Sequence, residues 1–435
     1  MALGGGTFLV QNKKLPGTYI NFVSIPRPFL TFSDRGYAAI AMEMDWGDDG
    51  ITTVEPADLQ KDCLELFGYS YTDEKMKPIR DLMMNASTAY IGRLNGGGKK
   101  AEVTEGGLTA RAKYSGTRGN EIMIVVENEL GETGNKVVKT FVDGFEVDRQ
   151  KAKVIGDLKS NAFVDFSGTG DINITAGVKL AGGSNGEAKK EAHVKFLDAL
   201  EAYHVNVIGY AGTDEAIKKL YTENAKRLRN ADGNYVQTAV YNGDGNNEGI
   251  ISVATAADED PAGLIYWVTG ASAGCAVNRS LTNREYDGEY TVSVRYKQRD
   301  LMKLLDEGKF VFHIVDNEVR VLEDINTFTD FSPEKNKDFS QNQVIRVIDQ
   351  IACDFAAIFN KRFLGKVQND EEGRISLWSE FVKHAETMQQ IRAIQNFEPE
   401  DITVRAGDEK NSVYVEFAVQ PTLAMTKMYA VIRVR

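Results

Sequence analysis

Hydrophobic positions in the first part of the chain follow two different periods. The apolar run over residues 35–46 predicts a buried strand, and residues 88–94 predict a second one. Between them, residues 58–67 and 75–84 place apolar side chains at the three- and four-residue steps of amphipathic helices. Residues 1–25 combine glycines with short apolar pieces. The pattern therefore predicts an extended arm followed by an α/β segment.

A glycine- and lysine-rich stretch at 95–100 separates this segment from a region of closely spaced strands. Alternating apolar positions predict strands over 108–114, 121–127 and 136–147, and the turns between them are rich in glycine, asparagine and aspartate. This pattern is typical of a sandwich or a barrel. We predict an inserted β-sandwich over residues 97–181.

Helices and strands alternate again from Ala188. The predicted order is a helix to about Tyr203, a strand at 205–212, a helix at 214–230, strands at 236–242 and 249–255, and a helix at 261–275. Such alternation implies a largely parallel sheet covered by helices. A hairpin is predicted next, over residues 310–325, with Asp316 and Asn317 as its two-residue turn.

Two amphipathic helices and two strands complete the pattern. The apolar face of the first helix, which Gly365 would end, comprises Val344, Val347, Ile348, Ile351, Phe355, Ile358 and Phe363. The apolar face of the second helix comprises Trp378, Phe381, Ala385, Met388 and Ile391. The strands are predicted at 412–420 and 425–435, on either side of Pro421.

The last predicted strand is unusual because chain ends are normally polar. Its apolar face consists of Met428, Ala430, Ile432 and Val434, which alternate with Lys427, Tyr429, Val431, Arg433 and Arg435. Fifteen residues from Pro421 span up to ~50 Å when extended. The strand could therefore leave its own domain and add to the sheet of a neighbouring molecule. An ordinary internal strand of the last domain stays open as the alternative.

Length and charge narrow the classes of function. A chain of 435 residues predicts two to four domains. The net charge of -12 disfavours nucleic acid as a partner, and the basic residues near both ends could favour association with the acidic body of another copy. Three scattered cysteines indicate neither disulfides nor a zinc site. We expect neither a signal peptide nor insertion into a membrane.

Candidate chemistry is sparse. The histidines at 193, 204, 313 and 384 lie in separate predicted elements without metal-ligand spacing, and Ser272 lies in an apolar helical run rather than in a nucleophile elbow. The glycines at 182–186 precede no Lys-Ser/Thr pair of a P-loop. The acidic cluster of Asp45, Asp48 and Asp49 and the loop 244–248 lack EF-hand spacing. We predict no catalytic, cofactor or metal site.

Ten stretches, in order over nearly the whole chain, carry a resemblance to one family. They are residues 16–22, 35–47, 114–126, 180–186, 280–283, 308–331, 342–354, 363–374, 392–404 and 419–434. Together they resemble the tail sheath family of contractile phages, particularly the branch found in defective prophages of Gram-positive bacteria. The resemblance implies a structural protein of a phage tail or bacteriocin-like particle, assembled in the cytoplasm of the host bacterium.

The fold implied is α/β with several domains. An inner α/β domain would be built from both ends of the chain, with a β-sandwich inserted in it and a central α/β domain of subtilisin-like topology. The expected divisions are an N-terminal arm at 1–25, inner-domain parts at 26–96 and 331–420, the sandwich at 97–181, the central domain at 182–330 and a C-terminal arm at 421–435. The N-terminal arm would act through Phe8, Val10, Tyr19, Ile20 and Phe22.

The function implied is mechanical. Sheath subunits of the family form stacked rings around a tail tube, linked by exchanged terminal arms, and contraction drives the tube through a cell envelope. The partners implied are other copies of the chain, the tube protein and the baseplate and tail terminator proteins. Two other interpretations stay open. One is an α/β hydrolase or nucleotide-binding enzyme with an accessory sandwich, and the other is a tube or baseplate protein, against which the length argues.

Overall fold

The computed structural model describes residues 35–129 and 134–434. The predicted N-terminal arm, with Phe8, Val10, Tyr19, Ile20 and Phe22, lies outside the described residues, as does Arg435. The described chain divides into two compact units. The first contains residues 38–83 and 87–205 apart from 130–133, and the second contains residues 35–37, 84–86 and 206–434.

The first unit begins with the predicted α/β segment. Its elements are β1 (Tyr37–Met42), β2 (Ile51–Val54), α1 (Pro56–Phe67), α2 (Lys77–Met83) and β3 (Thr88–Arg93). Strand β3 lies between β1 and β2 and pairs antiparallel with β2. Helix α1 starts with a proline, whose fixed φ suits the first turn, and ends at Gly68, whose φ of 77° few other residues adopt easily. The predicted strands and helices of this segment are confirmed.

The predicted β-sandwich is confirmed as two antiparallel sheets. Its strands are β4 (Lys100–Glu105), β5 (Leu108–Ser115), β6 (Ile122–Asn128), β7 (Lys136–Val142), β8 (Phe145–Ala152), β9 (Val164–Gly168) and β10 (Thr175–Lys179). One sheet has the order β4-β5-β9 and the other β10-β6-β7-β8. Asp143 and Gly144 turn β7 into β8 with positive φ at both positions, as the primed hairpin turns require. Helix α3 (Lys190–Leu200) follows the sandwich.

The core of the sandwich extends into the α/β segment. Trp46 and Leu64 belong to the same hydrophobic cluster as the inward-facing side chains of both sheets. The indole of Trp46 is fully buried, with its ring centroid 5.3 Å from that of Tyr114 and 6.2 Å from that of Phe163. The sandwich therefore does not close its own core; it packs over an aromatic side chain that a different part of the fold supplies.

The second unit contains the predicted parallel sheet. Its elements are β11 (Val207–Tyr210), α4 (Glu215–Asn230), β12 (Gln237–Tyr241), β13 (Ile250–Val253), α5 (Leu264–Gly274), α6 (Gln298–Asp306) and β14 (Lys309–Phe310). These strands have the order β14-β13-β12-β11 and all pair parallel. The Asp214 carboxylate accepts a hydrogen bond from the Ile217 N–H and so caps α4. The sequence pattern did not predict α6.

The rest of the second unit is a hairpin, two long helices and a small sheet. The hairpin strands β15 (Phe312–Val315) and β16 (Glu318–Val321) are joined, as predicted, through Asp316 and Asn317, both with positive φ. Helix α7 (Asn342–Ile358) runs into a π-helical turn (Phe359–Phe363), and α8 (Glu371–Gln390) packs against β17 (Ile402–Ala406), which pairs antiparallel with β18 (Val413–Phe417). Strand β17 was not predicted.

The strand predicted at 425–435 does not form among the described residues of the single chain, and its pairing with a neighbouring molecule stays a prediction. Residues 425–434 have no secondary structure and no strand partner in the described chain. The alternating pattern is present, but a strand is defined by hydrogen bonds to a neighbouring strand, and the isolated molecule supplies none.

Candidate assembly interface

The chain beyond Pro421 exposes large apolar side chains to solvent. Met428, Ile432 and Val434 are 90%, 87% and 94% exposed. Tyr429 and Val431 lie on the opposite face in the predicted alternation, and their side chains are exposed to a similar extent. Each buried aliphatic side chain of this size stabilises a protein by about 1.5–3 kcal/mol relative to exposure. A run of five such exposed side chains marks a surface for another molecule.

The charged members of this segment are also unpaired in the described structure. Lys427 and Arg433 form no ion pair with any residue of the described ranges. Their positive charges stand beside a body that gives the whole chain its charge of -12. Charges of this kind steer and orient association more than they strengthen it.

A sheet that could receive an extended segment lies in the same unit. Strands β17 and β18 form a two-stranded sheet, and neither outer edge has a strand partner among the described residues. Val404, Val415 and Phe417 pack on the hydrophobic cluster of α7 and α8. An isolated two-stranded sheet is marginally stable, and its open edges carry hydrogen-bonding groups that a further strand can pair. The core thus holds the sheet in place while leaving its edges available.

A buried polar face of α7 fixes these elements to the parallel sheet. Arg229 donates two hydrogen bonds to Asp349, at 2.7 and 2.8 Å, and both side chains are less than a tenth exposed. Asn342 accepts from the Gln237 amide and donates to Asp324, both at 3.0 Å. Directional bonds of this kind fix one orientation of the helix, whereas apolar contacts would allow it to slide.

Arg35, the first described residue, lies in the same buried region. One of its Nη atoms donates to the Ser272 carbonyl at 3.3 Å. Burial, followed by the neighbouring Arg346, lowers the pKa of Arg35 to about 10, although Asp349 opposes the shift. The guanidinium is still charged at neutral pH. The start of the described chain is therefore held by a partly buried cation.

The side chains considered above as candidates for catalysis or metal binding do not form a common site. Ser272 is fully buried within α5, and no histidine is within hydrogen-bond distance of its hydroxyl. His313 lies on β15, where burial, followed by Arg320, lowers its pKa. His384 Nε2 lies 2.7 Å from Asp354 Oδ2, between α7 and α8. Ser272, His313 and His384 therefore do not form a nucleophile paired with a base.

The polar loop after β12 is hydrogen-bonded by a lysine side chain of the protein itself. In the loop after β12, the Lys309 ammonium donates to the Gly243 carbonyl at 2.9 Å and to Asp244 at 3.2 Å. The described residues contain no group of three or more His, Cys, Asp or Glu side chains arranged to hold a metal ion. No helix within them is both long and apolar enough to cross a membrane.

Comparison with known proteins assigns the family. Three protein-family models match consecutive parts of the chain. They are the phage tail sheath protein beta-sandwich domain over 95–185, the phage tail sheath protein central domain over 186–327 and the phage tail sheath C-terminal domain over 334–435. The chain is also 30% identical to the phage-like element PBSX protein XkdK of Bacillus subtilis, over 98% of this chain and 99% of the relative. The chain belongs to the phage tail sheath protein family.

Solved structures of sheath proteins share the fold. The sheath tail protein of Desulfitobacterium hafniense is 37% identical, with a TM-score of 0.83 over 95% of this chain and 99% of that chain. The sheath tail protein Lin1278 of Listeria innocua is 26% identical, with a TM-score of 0.79 over 90% of this chain and 93% of that chain. The predicted family and α/β multidomain fold class are confirmed.

This sheath protein is a contractile sheath subunit, and it is structural rather than enzymatic. It is a component of a phage tail or tail-like particle. The segment from Met428 to Val434 was found from its alternation. The open edges of β17 and β18 were not, because the sequence does not show which strands are left without a neighbour.

Proposed function

We propose that the sheath subunit polymerises by placing its C-terminal segment, residues 421–435, in the sheet of a neighbouring subunit. The observation that carries this proposal is the exposure of Met428, Ile432 and Val434 within residues 425–434, which have no strand partner among the described residues. In a neighbour's sheet, the segment gains backbone hydrogen bonds and buries one face of Met428, Ala430, Ile432 and Val434. Lys427, Arg433 and Arg435 then orient it against the acidic body.

The sheet of β17 and β18 is the proposed acceptor. It has open edges, and its inward face is already anchored on the cluster of α7 and α8. A third strand would convert a marginal two-stranded sheet into one that is stable by itself. Donor and acceptor lie on one subunit, so every copy can give a segment and receive one. Such head-to-tail contacts generate rings or helical filaments.

The N-terminal arm takes the same role at the other end, through Phe8, Val10, Tyr19, Ile20 and Phe22. With inner-domain parts at 26–96 and 331–420, the rings would surround a tail tube, and the sandwich at 97–181 and the central domain at 182–330 would face outward. The tube protein, the baseplate and the tail terminator are the partners, and assembly takes place in the cytoplasm of the host bacterium.

Contraction follows from two packings of the same folded subunits. Assembly along the tube traps the longer packing, and a signal from the baseplate lets rings rotate and shorten cooperatively. The exchanged segments keep neighbouring subunits joined while other contacts are replaced. The stored free energy is the difference between the two packings, so driving the tube through a cell envelope requires no nucleotide.

Electron microscopy of the purified protein tests the proposal. The full-length chain should form hollow striated cylinders, and deletion of residues 423–435 should leave a folded, monodisperse monomer. A matched control replaces Ile432 with Val, which keeps the apolar face and should keep the cylinders. If the deletion protein still forms cylinders of normal length, the segment does not link subunits. If it cannot fold, the segment belongs to its own subunit's core.

A further inference from the structure

The first residues of the C-terminal segment are hydrogen-bonded to the rest of the subunit, whereas residues 425–434 are not bonded to any other part of the described chain. The Thr422 N–H donates to the Ala393 carbonyl at 2.9 Å, and the Thr422 hydroxyl donates to the Arg392 carbonyl. The Gln395 N–H donates to the Gln420 carbonyl at 2.9 Å. Residues 420–424, called the clamp below, are thus bonded along the loop that follows α8.

A second attachment of the clamp comes from α7. The Ala424 N–H donates to Gln343 Oε1 at 3.1 Å. Gln343 is 3% exposed and adjoins Asn342, which belongs to the polar face that fixes α7 to the parallel sheet. The clamp is therefore bonded to two elements that are far apart in sequence.

The loop that holds the clamp is itself rigidly mounted. Ala393 and Ile394 are buried in the cluster of α7 and α8, and the Ile391 carbonyl accepts from the Asn278 amide at 2.7 Å. Arg392 and Asn396 adopt positive φ, which sets the direction of the loop at both ends. This loop holds the clamp in one position, because the core contacts of the loop and its backbone conformation are both fixed.

The bonding stops abruptly after Ala424. No hydrogen bond or ion pair joins residues 425–434 to any other part of the described chain, and the Met425 side chain is fully exposed. The change from bonded to unbonded chain takes place within one peptide unit. Pro421, the residue with restricted φ, lies inside the bonded part and is bridged to Ile394.

We infer that the segment pivots at the peptide unit between Ala424 and Met425, and that Gln343 and Thr422 are positioning residues that fix its point of departure. The inference rests on the proposed exchange of segments. Only the eleven residues from Met425 are then free to reach a neighbour, over at most about 40 Å. Tension on the exchanged strand passes through Ala424 to α7 and through Thr422 to the loop after α8.

Hydrogen exchange resolved to single amides tests the clamp without reference to cylinders. It is measured on the full-length Ile432→Asp protein, in which assembly is expected to be blocked. The Thr422 and Ala424 amides should exchange at least about tenfold more slowly than those of residues 426–434, after correction for intrinsic rates. Equal rates on both sides of Ala424 would overturn the inference.

Two variants separate positioning from general stability. In the same background, Gln343→Leu removes the acceptor of the Ala424 amide and should accelerate its exchange about tenfold. Gln350→Leu is the control, because the buried Gln350 amide lies on the same helix but donates to Asp354. It should not accelerate exchange of the Ala424 amide. An unchanged Ala424 rate in Gln343→Leu, or an equal acceleration in Gln350→Leu, would contradict the role of Gln343.

Thr422→Val gives a second test if Gln343→Leu does not fold. It removes the hydroxyl bond to Arg392 and should accelerate exchange at Thr422, whereas Thr387→Val, which removes a comparable bond within α8, should leave it unchanged. Cylinders formed without residues 423–435 would reject the exchange of segments, whereas slow exchange at Thr422 and Ala424 in the full-length chain would still support the clamp. Uniform exchange over 420–434 would reject the clamp and leave the exchange of segments intact.

Discussion

Arg346 on α7 donates to Asp324 at 2.5 Å, and both side chains are about 1% exposed. Asp324 also accepts from the Leu281 N–H at 2.9 Å and from the Asn342 amide at 3.0 Å. The same Arg346 nitrogen donates to the Arg279 carbonyl at 3.0 Å. The pair thus joins α7 to the chain that follows the hairpin and to the loop after α5.

We expect Arg346→Met to lower the free energy of unfolding by about 3–5 kcal/mol, because it leaves the Asp324 carboxylate buried without its cation. Urea denaturation followed by circular dichroism measures the loss. Arg405→Met, which removes an exposed arginine of β17, should change stability by about 0–1 kcal/mol. Similar losses in the two variants would show that the buried pair does not hold α7.

Asp45 makes part of the stability of the first unit dependent on pH. Tyr69 and Asn185 donate to its carboxylate at 2.7 and 2.8 Å, and Lys75 lies 3.4 Å away. Burial raises the pKa of Asp45, but the hydrogen bonds from Tyr69 and Asn185 and the charge of Lys75 outweigh it, so the pKa is lowered overall. The folded protein therefore holds this carboxylate ionised at lower pH than the unfolded chain does.

A lowered pKa gives stability that is present above the unfolded value of about 3.9 and is lost as pH falls through the folded value. We expect the urea midpoint of the wild type to fall more between pH 6 and pH 3 than that of Asp45→Asn. Glu386→Gln, at an exposed position on α8, serves as the control and should follow the wild type. Parallel curves for Asp45→Asn and wild type would contradict the assignment.

Deleting the sandwich tests whether it is an independent module. Removal of residues 97–181 should expose Trp46 and Leu64, because the sandwich covers both. We expect the deletion protein to aggregate, and a Trp46→Ser, Leu64→Ser version of it to be soluble and keep the helical circular dichroism of the remaining chain. A deletion protein that is soluble with Trp46 in place would show that the sandwich is peripheral to the core.

Charge in the exchanged face tests the proposed assembly at one position. Ile432→Asp should abolish cylinders without changing the stability of the monomer, because Ile432 is exposed in the single chain and, in the proposed assembly, is buried in a neighbour. Sedimentation and electron microscopy measure assembly, and urea denaturation measures stability. Arg435→Ala should only weaken assembly and alter its salt dependence. Normal cylinders from Ile432→Asp would contradict burial of this face.

Local signals gave most of the elements of this fold. Period-two and period-3.6 patterns located the sandwich strands β5 to β8, the parallel strands β11 to β13 and the helices α4, α7 and α8. The Asp316-Asn317 turn was identified because left-handed backbone favours those residue types. Strands β2, β4, β9, β10 and β17 were missed, since short edge strands carry little alternation and depend on a partner distant in sequence.

The sequence by itself determined the family, the order of the elements and the apolar face of Met428, Ala430, Ile432 and Val434, because each depends on residue type and local spacing. Only the tertiary structure decided that Trp46 completes the sandwich core and that Arg346 meets Asp324. It also decided that bonding of the C-terminal segment ends at Ala424. These facts depend on which residues distant in the chain become neighbours, and burial and hydrogen bonding are properties of those neighbours rather than of the local sequence.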